Sequence, residues 1–561
     1  MSVDCKAFRL ETQKILDKNN PSNITSSSKK SAAKFGGAAF VAFGIILSRI
    51  SGLVRQRVFA YYFGNSDQAD AFYSAFKIPN FLQNLFGEGV LSASFIPVYC
   101  SLLAKNDEKE AGELAGTVAS LLVLITCVLV LLGFFLTPIL IDFIAPGFTG
   151  EKRELTIRLV QIFFPATGLL VLSAWCLGIL NSHRRFFLPY AAPIISNAAI
   201  IVALATQGLK QGLNQLAVYT AWGVVIGSLL QLLIQLPVAL KLVRSLKFGI
   251  NLSLTPVKKV FHNFVPVVTA RGVVQLSAYI DNVIASYMPS GAVAALSYAQ
   301  ALYMLPISLF GMSISAAELP VMSSAQGSQE EIFATLQKRL QAGLTKIAFF
   351  VIPSVVAFIV LGDVIISALY QTGKFDRNGT VHVWGVLIGS TVGLLAGTWG
   401  RLYSSAFYSL QDTRKPLKFA LVRVFLTTVL GYLFGITLPH ALHIDLSWGT
   451  AGLTASAGLA GWVEFMLLRR ALRKKLGQTT GTRPGLVFRL WISALGAAAL
   501  GWLIHYAVGN SHPWIGGAVV LLPYGIAYLA LTHALGITEA QGLIGQFTRR
   551  RSRNRSNHRS K

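Results

Sequence analysis

Apolar runs long enough to cross a bilayer follow one another along almost the whole chain. A transmembrane helix needs about 20 consecutive, mostly apolar residues. Runs of that kind occupy 36–62, 70–104, 112–143, 155–181, 186–207, 214–242, 258–288, 292–323, 342–370, 380–409, 415–438, 447–468, 487–508 and 514–535, about fourteen spans by length and apolarity. The pattern predicts an all-α integral membrane protein. The first 34 residues are polar and mixed in charge, with Lys14, Asp17, Lys18, Lys29 and Lys30. They read as a cytoplasmic leader ahead of a span that serves as its own insertion signal.

Polar positions inside these runs carry the functional information. Lys77, Asn80, Asn84, Glu88 and Ser92 recur every three to four residues, so they form one polar stripe on a helix otherwise rich in Phe, Leu, Ile and Val. Such a stripe faces water, protein or substrate; helix–helix contact is the competing reading for Asn80 and Ser92. The first span holds Arg49, Arg55 and Arg57. Arg57 can snorkel to an interface, but Arg49 is mid-span. Guanidinium groups at that depth point either to an anion site, because they match phosphate oxygens in bidentate geometry, or to an internal salt bridge. Arg271, Asp281, Glu318 and Arg401 are further charges within spans, Asp70 stands at the start of the second, and Asp412 follows the tenth. Two segments also resemble each other: Leu85-Phe86-Gly87 leading to Pro97-Val98, and Leu309-Phe310-Gly311 leading to Pro320-Val321. A duplicated membrane bundle with buried charges is a common transporter plan.

Composition agrees, with 53% hydrophobic and only 13% charged residues. The net charge of +26 raises the question of nucleic acid, and its distribution answers it. Basic residues gather in every second loop (Lys105, Lys109; Arg184, Arg185; Lys241, Arg244, Lys247; Lys338, Arg339; Arg414, Lys415, Lys418; Arg469 to Lys475) and in the tail from Arg549 to Arg559. This is the positive-inside pattern, and it predicts both termini in the cytoplasm, with membrane lipids and not nucleic acid as the tail's partner. The four cysteines, Cys5, Cys100, Cys127 and Cys176, form no CxxC pair and no zinc spacing, so neither a metal nor a cofactor is expected. No nucleophile elbow, P-loop or HExxH motif is present, so the chain does not read as an enzyme.

The run Ser48-Arg49-Ile50-Ser51-Gly52-Leu53-Val54-Arg55, then Phe63-Gly64, Asp70-Ala71-Phe72, Phe76-Lys77-Ile78-Pro79-Asn80 and Phe86-Gly87-Glu88-Gly89 resembles the amino-terminal signature of the MurJ (MviN) family of lipid II flippases, in the multidrug, oligosaccharidyl-lipid and polysaccharide exporter superfamily. Ala145-Pro146-Gly147-Phe148, Gly178-Ile179-Leu180-Asn181, Gly373-Lys374-Phe375 and Phe407-Tyr408-Ser409 with Gln411-Asp412 extend the match in order. The resemblance implies two pseudo-symmetric six-helix lobes around a central cavity, plus two carboxyl-terminal helices that help form a groove for a polyprenyl tail. It also places Arg49, Arg55, Asp70 and Glu88 at functional positions of the family. Two departures stand out. Gln83 occupies the place of a family arginine in the second span, and Tyr298-Ala299-Gln300-Ala301 stands where the family pattern has arginine in place of Ala301.

The expected organisation is a leader (1–34), an N-terminal lobe (35–247), a C-terminal lobe (248–475), two extra spans (476–540) and a basic tail (541–561). The expected function is alternating-access translocation of lipid II across the bacterial cytoplasmic membrane for cell-wall synthesis. Arg49, Arg55, Asp70, Lys77, Asn80, Asn84, Glu88 and Arg271 are the expected substrate-binding residues, and Asp281, Glu318, Arg401 and Asp412 the coupling or cavity residues. Partners are a polyprenyl-diphosphate-linked substrate, membrane lipids and cell-wall synthesis enzymes. Competing readings are an exporter of another polyprenyl-linked glycan, a drug/cation antiporter, and a non-transporting scaffold. The polar stripe argues against the scaffold.

Overall fold

The computed structural model of the chain describes residues 27–324, 327–477, 481–509 and 512–542. Most of the leader (residues 1–26) and the arginine-rich tail lie outside the described residues. Contacts divide the chain into two units, Met1–Val293 and Ala294–Lys561.

The first unit consists of α1 (Ser27–Phe63), α2 (Asp67–Phe86), α3 (Glu88–Ala104), α4 (Glu108–Ile144), α5 (Gly150–Ser182), short α6 (Phe187–Ala191), α7 (Pro193–Gln207), α8 (Leu213–Leu242) and α9 (Thr255–Ser286). α5 is its centre, packing on α2, α3, α4 and α8. Its Phe163, Phe164 and Trp175 are fully enclosed, and the Trp175 indole donates to the Ala115 carbonyl at 3.1 Å, so the ring's polar edge is satisfied where no water reaches. The linker after α8 lies along a small-residue face of α4. A Cβ at Gly112 or Gly116 would fall 2.2 and 2.0 Å from the carbonyls of Ser245 and Lys247, and Ser120 accepts from the Gly249 amide at 3.2 Å. The 112, 116, 120 spacing makes that groove on one helix face.

The second span is broken, which changes the predicted stripe. α2 ends at Phe86 and α3 begins at Glu88, with Gly87 between them at φ −94°, ψ −141°. A Cβ at Gly87 would sit 2.2 Å from the Gln83 carbonyl, which its own amide bonds at 2.7 Å. Lys77, Asn80 and Asn84 therefore share one helix, while Glu88 opens the next, where the helix dipole favours a carboxylate.

The second unit contains α10 (Ala292–Pro306), a π-helical stretch (Ile307–Met312), α11 (Ser313–Ser323), α12 (Gln329–Val360), α13 (Gly362–Tyr370), α14 (Arg377–Thr391), α15 (Leu394–Ser409), α16 (Arg414–Tyr432), a second π stretch (Leu433–Thr437), α17 (Leu438–Ala441), α18 (Gly449–Leu476), α19 (Pro484–Val508) and α20 (Pro513–Ala534). α18 crosses α14 and α15 at glycines: a Cβ on Gly393 would meet the Gly458 Cα at 2.5 Å, and one on Gly389 the Ala451 carbonyl at 2.3 Å. Pro353 inside α12 has no N–H to offer the carbonyl of Phe349. The Tyr528 hydroxyl of α20 donates to that carbonyl at 2.6 Å, and Tyr524 donates to the Pro353 carbonyl at 2.6 Å. The last helix thus supplies the hydrogen bond that the proline removes from Phe349 and adds one to the proline's own carbonyl.

Among the described residues, eleven helices are long and apolar enough to cross a membrane, or twelve if the bent pair α14 and α15 counts as one span. The expected fourteen is not confirmed as a count, because α1 and α9, which lie over the predicted spans 36–62 and 258–288, are not among those eleven. The predicted 342–370 span is the end of the long α12 followed by the separate, nine-residue α13, and the predicted 380–409 span is the pair bent by 40° at residues 392–393. The seventh span, α9, which the sequence reading placed with the second lobe, packs on α2, α3 and α4.

Candidate functional site

On α1, Gly44 packs against Tyr190, and Asn197 of α7 donates to the Ser51 hydroxyl at 2.8 Å. Those contacts fix the helix's rotation. Arg55 follows on the same side and lines a narrow recess together with Gln56, Phe59, Phe72, Tyr73, Phe76, Ile200 and Val224. Arg49 emerges on a different side and is exposed. The two arginines therefore do not present one joint face: Arg55 lies within the helix bundle, and Arg49 stands out from it at mid-span.

α2 carries the polar positions that follow. Asn84 is exposed, and Lys77 and Asn80 are half-buried. The Asp281 carboxylate of α9 attracts the Lys77 ammonium. Two residues earlier on α9, the Tyr279 hydroxyl donates to the Lys77 carbonyl at 2.8 Å, and its ring meets Phe81 edge-on at 5.3 Å. Lys77 and Asp281 are thus brought together by helices separated by some 200 residues of sequence. The side chains of Glu88 and Arg271 lie outside the described residues.

Asp70 stands apart from these groups. Its carboxylate is 1% exposed and takes the Lys152 ammonium at 2.7 Å and the Gly291 amide at 2.8 Å. Lys152 also bonds Asp67 at 2.7 Å and lies over the Phe148 ring at 4.3 Å. Around this centre, Asn282 donates to the Ile144 carbonyl at 2.9 Å, Ser74 donates to Asn282 at 3.3 Å, and the Gly147 amide donates to Ser286 at 3.0 Å. The cluster ties α2 and the start of α5 to the end of α9, with Asp70 as its fastener on α2.

In the second unit Glu318 on α11 is buried, with one oxygen 3.8 Å from Lys346 of α12 and the other without a hydrogen-bond partner among the described residues. Asp412 lies in the loop between α15 and α16 and bonds the Lys415 amide at 3.3 Å and the Lys475 ammonium at 3.4 Å. Partial burial works against its charge, but the Lys415 amide and the two ammonium groups hold its carboxyl below the usual carboxylate value. That clamp is complete above the ordinary carboxylate range and is lost as the pH falls through the depressed value. Arg401 on α15 is exposed and feels Arg423, Tyr303 and Glu464.

An apolar cavity of about 490 Å³ opens among α12, α15, α18 and the start of α19, lined by Leu344, Trp399, Tyr403, Phe465, Phe488 and Trp491, with Arg469 at its edge.

A family model described as "Lipid II flippase MurJ" matches residues 59–524. The chain belongs to the MurJ family. A "Lipid II flippase MurJ" of Burkholderia cenocepacia is 30% identical over 482 residues, 84% of this chain and 89% of that protein. A "Probable lipid II flippase MurJ" of Bdellovibrio bacteriovorus is 30% identical and covers 92% of this chain and 97% of its own length. Among solved structures, one titled "Lipid II flippase MurJ, inward closed conformation" aligns at a TM-score of 0.73 with 25% identity, over 88% of this chain and 98% of that one. In this multi-pass MurJ-family membrane protein, the structure also brings in groups that sequence reading missed. Lys152, Gly291, Lys346, Arg423 and Glu464 each answer a residue far away in sequence, and no local motif marks them.

Proposed function

We propose that this MurJ-family protein translocates a lipid-linked peptidoglycan precursor, lipid II, from the inner to the outer leaflet of the bacterial cytoplasmic membrane, as a transporter and not an enzyme. Arg49 carries the reading: it is a guanidinium at mid-span, exposed on its helix, where facing lipid would cost at least about 2.5–3.5 kcal/mol. An anionic headgroup entering an aqueous cavity removes that penalty, and a diphosphate matches the guanidinium fork. Lys77, Asn80, Asn84, Glu88 and Arg271 are proposed to assist, with Asp281 and Glu318 as coupling groups. The six-helix lobes 35–247 and 248–475 would expose the site to each leaflet in turn by alternating access. The α19–α20 pair and the apolar cavity beside it suit the polyprenyl tail, and cell-wall synthesis enzymes would receive the product. The loop charges support a cytoplasmic position for both termini. The inside-negative potential then assists outward movement of negative charge by about 2.3 kcal/mol per charge per 100 mV.

A second reading, export of another polyprenyl-diphosphate-linked glycan, is favoured by Gln83 and Ala301, which leave fewer cations than the family pattern. Complementation of cells depleted of their own lipid II flippase separates the two: growth is expected, and failure of a well-expressed, correctly inserted chain points to the other glycan. In a background without other reactive thiols, Arg49→Cys is expected to react with a membrane-impermeant thiol reagent. A cysteine at Asn65 should react from the periplasmic side, and one added after Lys561 only from the cytoplasm. An unreactive residue 49 from both sides removes the cavity assignment, and reversed sidedness at the other two positions inverts the topology.

A further inference from the structure

Two arginines lie within the spans of the second unit with one carboxylate for both. Arg423 on α16 bonds Glu464 of α18 at 3.2 Å through a single nitrogen. Arg401 on α15 has no hydrogen bond or ion pair among the described residues, although it lies within electrostatic reach of Arg423 and Glu464. The group therefore carries one unbalanced positive charge.

Its placement is directional. Gly397, Arg401, Ser404 and Tyr408 repeat at helical spacing along one face of α15, while Thr398, Trp399, Leu402, Tyr403 and Ala406 fill the opposite, buried face. The Tyr303 hydroxyl lies 4.0 Å from where a Gly397 Cβ would stand, one turn from Arg401. Glu464 acts electrostatically on Tyr408 of the same face. The Arg423 side chain is 40% exposed and that of Glu464 16%. A net cation on an open face at membrane depth calls for an anion or water, because hydrocarbon would oppose it.

We propose that Arg401 and Arg423, with the Tyr303 hydroxyl beside them, form a phosphate-binding subsite on the second unit, and that its ligand is the diphosphate of the transported lipid. Only the source of the phosphate rests on the flippase reading. Glu464 holds Arg423 in place when the subsite is empty, and a dianion competes for the same guanidinium. The subsite returns cationic charge that Gln83 and Ala301 withdraw elsewhere.

The test uses the full chain in nanodiscs with farnesyl diphosphate as the probe, and phosphatidylglycerol as the alternative source of phosphate. Arg401→Gln is expected to weaken farnesyl diphosphate binding by about tenfold, and Glu464→Gln to tighten it severalfold by releasing Arg423. The Arg423→Gln/Glu464→Gln pair removes a cation without orphaning a carboxylate and is expected to weaken binding as Arg401→Gln does, with thermal midpoints confirming that each variant folds. Unchanged diphosphate affinity in both Arg401→Gln and the pair overturns the proposal, as does a loss confined to phosphatidylglycerol. Failure of the unmodified chain to complement flippase-depleted cells would instead count against the flippase reading, whatever the variants bind.

Discussion

Replacing Asp70 with alanine is expected to destabilise the first unit by about 3–5 kcal/mol, the usual consequence of removing one partner of a buried ion pair. The substitution strands the Lys152 ammonium and the Gly291 amide, both of which share the Asp70 carboxylate. Asp67 cannot take over, because it is 51% exposed and an exposed pair contributes only about 0–1 kcal/mol. Lys152→Ala should cost a similar amount, since it takes the ammonium away from a buried carboxylate. Asp70→Leu combined with Lys152→Leu should recover much of the loss, because neither charge then remains. Thermal unfolding of the purified variants gives the coupling as a double-mutant cycle. An Asp70→Ala protein as stable as the parent would mean that the fastener contributes nothing and that Asp70 acts elsewhere.

The second large effect is expected at Arg55 and Arg49. Arg55→Ala and Arg49→Ala should each abolish complementation while leaving the amount of protein in the membrane unchanged. Charge-assisted hydrogen bonds are worth about 1.5–3 kcal/mol each, so losing a bidentate pair lowers affinity for a diphosphate by orders of magnitude. The lysine variants should retain partial function, because the charge stays while the planar fork is lost. Arg55 also lines a recess with Phe59, Phe72, Tyr73 and Phe76, so Arg55→Lys additionally reports whether packing or charge matters there. Unimpaired growth with either alanine variant would take that residue out of the substrate path.

Much of this protein is written into its hydrophobic pattern. Helices cover the predicted spans because a chain in hydrocarbon has to satisfy its backbone internally, and run length alone reveals that. The arginines of α1 and the polar positions of α2 were visible for the same reason: a charge among Leu and Ile is conspicuous. Three features were not legible. Gly87 breaks the stripe through a backbone conformation, and the neighbouring apolar residues read the same whether the helix continues or stops. The buried contacts of Asp70 could not be read, because Lys152 and Gly291 lie 82 and 221 residues away. Arg423 and Glu464 sit 41 residues apart on different helices, so their pairing exists only once α16 and α18 pack together.

The hydrogen bond from Tyr528 to Phe349 bears on how the molecule is made. The two residues are 179 positions apart, and the ribosome delivers α12 to the membrane well before α20. Until α20 arrives, Pro353 leaves a carbonyl of α12 exposed to a solvent that cannot hydrogen-bond it. The second unit is therefore unfinished at its own centre while most of it is already inserted. The last span closes that gap, which makes the carboxyl-terminal pair a late step in assembly as well as an addition to the bundle.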